Sequence, residues 1–212
     1  MTRDQARARI QQTLGFRGDK ATEIETALQD AQVMLERGAE LPWFLLTEVA
    51  SISTVIDEER VALPDGFLRE WEDDPLWFFV AGTGGDADSW TELAKDDNAF
   101  LRAKYPGAGK PIAYSQDELY WRIFPTPDEV FTLKNIHFKA DTLLTTNVEN
   151  DWLKYFPYLM IGEAGQLIAA ALRDKDATAI FLKWTLEGRR RMIVENEARM
   201  HSSRRYVMGG ND

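Results

Sequence analysis

The stretch that most constrains this chain is 147–206, which reads as a helical hairpin. Asn147, Asn150 and Asp151 gather just before an apolar run, where side-chain oxygens cap the free N–H groups of a helix start. Pro157 suits a first helical turn, where a missing N–H costs nothing. LMIGEAGQLIAAALRD (159–174) follows, with Gly162 and Gly165 its strongest breakers. Asp174, Lys175 and Asp176 make a short turn. A second helix is expected from about Ala177 into the 190s, because Ala177, Ile180, Phe181 and Trp184 keep helical spacing. After Gly188 the character turns basic, at Arg189, Arg190 and Arg191. This pair is apolar enough to hold a core, with Leu167 and Trp184 as expected core positions.

The other end of the chain is helical too. Thr2 and Gln5 form a capping-box pattern, Ala6, Ile10 and Leu14 share one face, and Gly15 suits the position after a helix end. A second helix is expected to open at Asp19, with Ile24, Ala27, Leu28, Ala31, Met34 and Leu35 as its stripe and Gly38 as its stop. Helices shorter than about 12–15 residues rarely persist alone, so the helix over 2–14 needs partners. The expected fold is therefore mainly α with a β insertion. A helical bundle from the N- and C-terminal helices, 1–42 with 147–200, is interrupted by a small antiparallel β-rich insert over 43–146. Residues 201–212 are expected as an extended tail, because His201, Ser202, Ser203, Gly209 and Gly210 are poor helix formers.

Within 43–146, short strands are expected at 60–63, 76–81, 111–115, 118–124 and 130–138. A helical turn or two is expected over 65–71, and a helix of about 90–104 from a capping box at Ser89 and Glu92. The run 118–124 alternates most clearly, with Leu119, Trp121 and Ile123 on one face. Trp71, Trp77, Trp90 and Trp121 exceed what so small a core needs, which makes them candidate anchors for a neighbouring subunit or a tail protein.

Charge is uneven. The chain carries −10; residues 189–212 hold six Arg against Glu195, Glu197 and Asp212, a surplus of +3, which leaves −13 for the rest. An acidic body repels phosphates, and a basic tail suits an acidic partner. The absence of cysteine excludes disulfides, thiolate metal sites and cysteine nucleophiles. No run of 18 apolar residues predicts a membrane span, and MTRDQARARI is too polar for a signal peptide.

Motifs with chemistry do not complete themselves. GAGKP (107–111) lacks the first glycine of a phosphate loop and has Pro111 where a magnesium-binding hydroxyl belongs. GTGG (82–85) opens no helix, and Asp86 with Asp88 lacks the glutamate of a calcium loop. His137 and His201 fall in different elements, and the best catalytic centre available would be an acidic pocket near Glu118 and His137. Neither histidine has a nucleophile or metal setting beside it. No catalytic, cofactor or metal residue is expected.

Three stretches, in order, resemble the head–tail adaptor (connector) proteins of tailed bacteriophages. They are ALQDAQVMLERGAELPWFLL (27–46) with VALPDGFLRE (61–70), YWRIFPTPDEVFTL (120–133), and TTN (145–147) with WL (152–153), Pro157 and the closing hairpin. The segment 82–110 is longer than the family's minimal form. The resemblance implies a non-enzymatic, twelve-fold ring beneath the portal in the virion neck, made in the host bacterial cytoplasm. Its implied partners are the portal protein, a tail or nozzle protein, further copies of itself, and double-stranded DNA passing through without specific binding; no cofactor or membrane is implied. It also implies a C-terminal segment that reaches the portal, which would be Arg199, Arg204, Arg205, Tyr206, Val207 and Met208 here. The competing expectation is a non-catalytic protein-binding scaffold of a virion or bacterial cell.

Overall fold

Thr2 closes a capping box at the start of the first helix. Its hydroxyl accepts from the Gln5 amide at 3.4 Å, and the Gln5 side chain accepts from the Thr2 amide at 3.0 Å. The computed structural model describes residues 1–71, 76–81 and 88–207, the last eight by backbone alone. Six helices are described: α1 (Arg3–Thr13), α2 (Ala21–Glu36), α3 (Asn98–Lys104), α4 (Asp151–Tyr155), α5 (Pro157–Leu172) and α6 (Lys175–Val207). Eleven strands are described: β1 (Leu46–Ser53), β2 (Arg60–Ala62), β3 (Phe67–Glu70), β4 (Trp77–Val80), β5 (Ser89–Glu92), β6 (Ala94–Lys95), β7 (Ala108–Gly109), β8 (Ala113–Gln116), β9 (Tyr120–Phe124), β10 (Thr126–Pro127) and β11 (Thr132–Lys139). Two compact units result, Met1–Leu45 with Ala140–Asp212, and Leu46–Lys139.

The first unit is helical. α1 ends at Leu14, and Gly15 then takes the left-handed conformation at φ 71°. Asp19 does not open α2; it pairs with Arg17 at 2.8 Å in a 3-10 turn, and α2 starts two residues later. α2 buries Ile24, Ala27, Leu28, Ala31 and Leu35 but leaves Met34 55% exposed. α2 packs along α5, α1 rests on both, and α5 lies along α6. Glu36, at the end of α2, accepts from the Gln32 amide (2.9 Å), the Asp141 backbone (3.1 Å) and the Trp152 indole (3.1 Å), which fastens the segment before α4 to α2. Burial pushes the Glu36 carboxyl above its ordinary range despite these donors. Asn150 caps α4 by accepting from the Leu153 amide at 3.0 Å.

The second unit is a β structure with one short helix. A five-stranded sheet runs β1-β11-β4-β5, with β3 also paired to β11, and every pairing in it is antiparallel. A four-stranded sheet runs β2-β9-β8-β6, and β7 pairs with β10 in a third. Phe78 of β4 and Leu133 of β11 share one buried cluster with Val61 of β2, Tyr114 of β8, and Trp121 and Ile123 of β9. Trp121 and Ile123 sit on the buried face of β9 as alternation requires, but Leu119, in the turn before it, is 64% exposed.

These facts correct the expected fold class. The chain is 46% helix and 25% strand, with eleven strands in three sheets among the described residues, and is not a mainly helical bundle with a small insert. Most strands have two to five residues, too short for alternation to declare them. The expected helical turns over 65–71 are β3, and the first part of the expected helix over 90–104 is β5 and β6. Only its last part is helical, because Asp97, not Ser89, is the cap: it accepts from the Ala99 amide at 2.9 Å. The tail is corrected too, since α6 continues through Val207 where an extended chain was expected from 201.

Candidate functional site

The helical hairpin packs with almost no space between its backbones. A Cβ on Gly162 would lie 2.6 Å from the Thr185 hydroxyl and 2.7 Å from its backbone nitrogen. One on Gly165 would lie 2.3 Å from the Phe181 ring, and one on Gly188 2.8 Å from Leu159. The residues that read as helix breakers are therefore what lets α5 and α6 approach. Gln166 donates to the Thr185 hydroxyl at 2.7 Å, and Arg189 donates to Glu163 at 3.1 Å, so the pair is also pinned across its flank.

The outer surface of this hairpin is unusually apolar. α6 leaves Leu182 45%, Leu186 61% and Val194 57% exposed, with Ile180 and Ile193 close behind. Leu167, expected in the core, is 39% exposed, and Trp184 is only half-buried. Trp184 borders a cleft of about 520 Å³ with Arg9, Lys154, Tyr155, Tyr158 and Arg191. Its ring meets Tyr158 at 5.5 Å and Phe181 at 5.6 Å, both edge-on, with the Arg9 guanidinium 5.9 Å over it.

Farther along, α6 is fastened to the segment after α2. Asn196 accepts from the Trp43 amide and donates to the Leu41 carbonyl, both at 3.0 Å. The Arg199 guanidinium lies 3.9 Å over the Trp43 ring. Of the expected portal-contacting residues, Arg199 is thus engaged within the helical unit. Arg204, Arg205, Tyr206 and Val207 continue along α6, and Met208 lies outside the described residues.

The four candidate tryptophans separate. Trp121 is fully buried and donates to Glu70 at 2.7 Å, so it fills the core instead of facing a neighbour. Trp90 is 37% exposed on β5, edge-on to Phe79 at 5.3 Å. The Lys134 ammonium stands 4.6 Å over Trp77 and 5.2 Å over Trp90, so these two and Phe79 share the outer face of the five-stranded sheet. Trp71 is half-buried beside β11, its amide donating to the Ile136 carbonyl at 3.3 Å.

Glu118 and His137 are not brought together. Glu118 is exposed between β8 and β9, whereas His137 is fully buried on β11 and stacked on Phe67 at 5.2 Å. Its cross-strand partners are Glu70 and Thr47, and neither ring nitrogen has a hydrogen-bond partner among the described residues. Burial, with Lys139 adding to it and Glu70 opposing it, holds the imidazole below its ordinary pKa. The unfolded chain then takes up this proton first, so the β unit is expected to lose stability as pH falls below about 6.5 and to keep it in full above. Denaturant unfolding at about pH 7.5 and about pH 5.5 checks this, because His137→Phe should remove that part of the loss. An equal loss in the variant would show that His137 is not its source. Among the described residues no group of three or more His, Asp or Glu could hold a metal ion, and Asp86 of the rejected calcium loop lies outside them together with the 82–85 glycines.

A family model described as SU10 adaptor protein matches residues 1–207. The chain belongs to the SU10 adaptor protein family. This is a phage head–tail adaptor family, so the resemblance carried by 27–46, 61–70, 120–133 and the closing hairpin is borne out. A search of curated proteins found no match. The adaptor is accordingly a phage virion component that associates with portal and tail components. Adaptors of this family are in general structural and non-catalytic. No helix among the described residues is long and apolar enough to cross a membrane.

Several features of the helical unit carry little local signal in the sequence. Phe16 stands 78% exposed at φ 64° in the turn after α1, next to the Gly15 that was recognised. The contacts of Asn196 and Arg199 with 41–43 join residues more than 150 positions apart, and no local pattern marks them. Gly188, at one helical turn spacing from Thr185, had the same composition signal as Gly162 and Gly165.

Proposed function

We propose that the adaptor assembles as a ring of identical subunits, twelve-fold, between the portal and the tail or nozzle protein in the virion neck. DNA passes through the ring without specific binding. The end of α6 supports portal docking most directly. α6 has 33 residues against 16 in α5, so it reaches about 50 Å against about 24 Å. Its final turns carry Arg204, Arg205, Tyr206 and Val207, two cations beside two groups able to fill a pocket, with Met208 next in sequence. Arg199 over Trp43 anchors α6 just before these turns. An acidic body, −13 outside residues 189–212, favours passage of DNA, because phosphate contacts would give strong non-specific affinity. Trp77, Trp90 and Phe79, on the outer face of the β unit, are the candidate contacts for a neighbour or the tail, and Trp71 lies beside them in sequence.

Truncation after Met200 tests the docking. The shortened adaptor is expected to fold with its hairpin intact and to lose association with the portal. The affinity of the untruncated chain is expected to fall as salt rises, because the contact uses arginine charges. Unchanged portal binding by the truncated chain, followed by co-sedimentation, would place docking elsewhere.

A further inference from the structure

We propose that neighbouring copies of the adaptor touch through opposite flanks of α6, with Leu182, Leu186 and Ile193 of one copy seated against the Trp184 cleft of the next. This rests on the ring reading above and names the surface that would close it.

The buried face of α6 is made by Ala177, Phe181, Thr185 and Met192. Leu182, Leu186 and Ile193 recur at spacings of four and seven, so they form one line down the helix, beside that face. They are 45%, 61% and 37% exposed, a strip of aliphatic side chain with no cover in the isolated chain. At about 100° per residue, Trp184 stands about 200° and Arg191 about 180° around the helix from Leu182. The cleft that Trp184 borders therefore opens on the other side of the same helix. Its aromatic wall is already set, because Trp184 is held between Tyr158, Phe181 and the Arg9 guanidinium. Seating an aliphatic group there orders few additional side chains.

The occupant is argued from the pairing of the two flanks. One flank is a ridge and the other a cleft, and both belong to one chain. A contact between unlike patches is heterologous, so it propagates head to tail and closes into a ring where the rotation permits. A portal or tail subunit would need only one of the two. The cleft rim carries the cations Arg9, Lys154 and Arg191 with one acid, Glu187. The groove that Ile193 borders holds Glu40 and Arg189, the latter paired with Glu163, and Glu197 lies one turn beyond Ile193. The surplus on the cleft side is thus positive, and Glu40 and Glu197 on the ridge side oppose it.

The chain has no cysteine, so a cross-link reports only introduced thiols. Tyr158→Cys and Leu186→Cys, singly and together, are loaded onto portal rings and oxidised. The double variant is expected to give a ladder of covalent oligomers beyond the dimer on a denaturing gel, and the single variants none. In a second experiment Leu186→Glu, at an exposed position the fold tolerates, is titrated onto portal rings and the copies per ring are counted by native mass spectrometry. Wild-type adaptor is expected to load all or none, whereas the variant loads in a spread of partial occupancies and needs about tenfold more protein or beyond. Circular dichroism confirms that the variant folds. Complete rings with no ladder, and all-or-none loading by Leu186→Glu, would overturn this contact while the ring reading stands. A covalent dimer from Leu186→Cys alone would also overturn it, by showing a symmetric contact. Wild-type adaptor that never forms rings on the portal would overturn the ring reading itself, and this contact with it.

Discussion

Replacing Glu70 by alanine is expected to cost the β unit about 3–5 kcal/mol, the scale for removing one member of a buried charged network. The Glu70 carboxylate is only 8% exposed. It accepts from the Tyr114 hydroxyl at 2.9 Å, the Trp121 indole at 2.7 Å and the Lys95 ammonium at 2.7 Å. β3 thereby holds β6, β8 and β9 of the other sheet through one side chain. Tyr114 and Trp121 are fully buried, so alanine leaves two donors without partner or water, at about 1–3 kcal/mol each. Burial and the neighbouring carboxylate already push the Tyr114 phenol above its ordinary range, so it stays a donor at any ordinary pH. Glu70→Gln keeps an acceptor for the indole and is expected to cost less than half as much. Urea unfolding followed by tryptophan fluorescence measures both. A loss below about 1 kcal/mol for alanine would mean that the network contributes little to holding the sheets together.

The second large effect is expected at the hairpin. Alanine is a better helix former than glycine by about 1 kcal/mol, so propensity alone predicts that Gly162→Ala and Gly165→Ala stabilise the protein. Packing predicts the reverse. The new Cβ at 162 meets backbone atoms of Thr185 and Phe181 at 2.7 and 2.9 Å, and that at 165 meets the fully buried Phe181 ring. Backbone cannot rotate away, so α5 and α6 must separate along their length. Overpacking of this kind costs about 1–3 kcal/mol per site, and the double variant is expected to lose about 2–4 kcal/mol net. Thermal unfolding followed by circular dichroism decides the sign. A double variant more stable than wild type would show that the helices do not approach as closely as described.

These two cases also show what was legible in the sequence. Local signals read well: Thr2 with Gln5, Gly15 and Asn150 sit where capping rules place them. The apolar stripe of α2 was legible because five of its residues face the core, and Met34 misled because periodicity does not say which edge of a stripe meets solvent. The β unit was underestimated for a physical reason. Phe67–Glu70 and Ser89–Glu92 are strands because β11 and β4 pair with them, and nothing within four residues encodes a distant partner. Glu70 looked like surface charge, since its donors come from 25 to 51 positions away. Gly162 and Gly165 looked like helix breakers because a glycine's role in close approach depends on the facing helix. The family was legible because motif order survives where each motif alone is only packing.

The ring is the central claim, and the mass of the assembled complex tests it most directly. Purified portal rings are mixed with excess adaptor and weighed by native mass spectrometry. The account predicts one discrete complex with as many adaptor subunits as portal subunits, twelve on a twelve-fold portal. Single adaptors bound at random, or an adaptor indifferent to the portal, would contradict it.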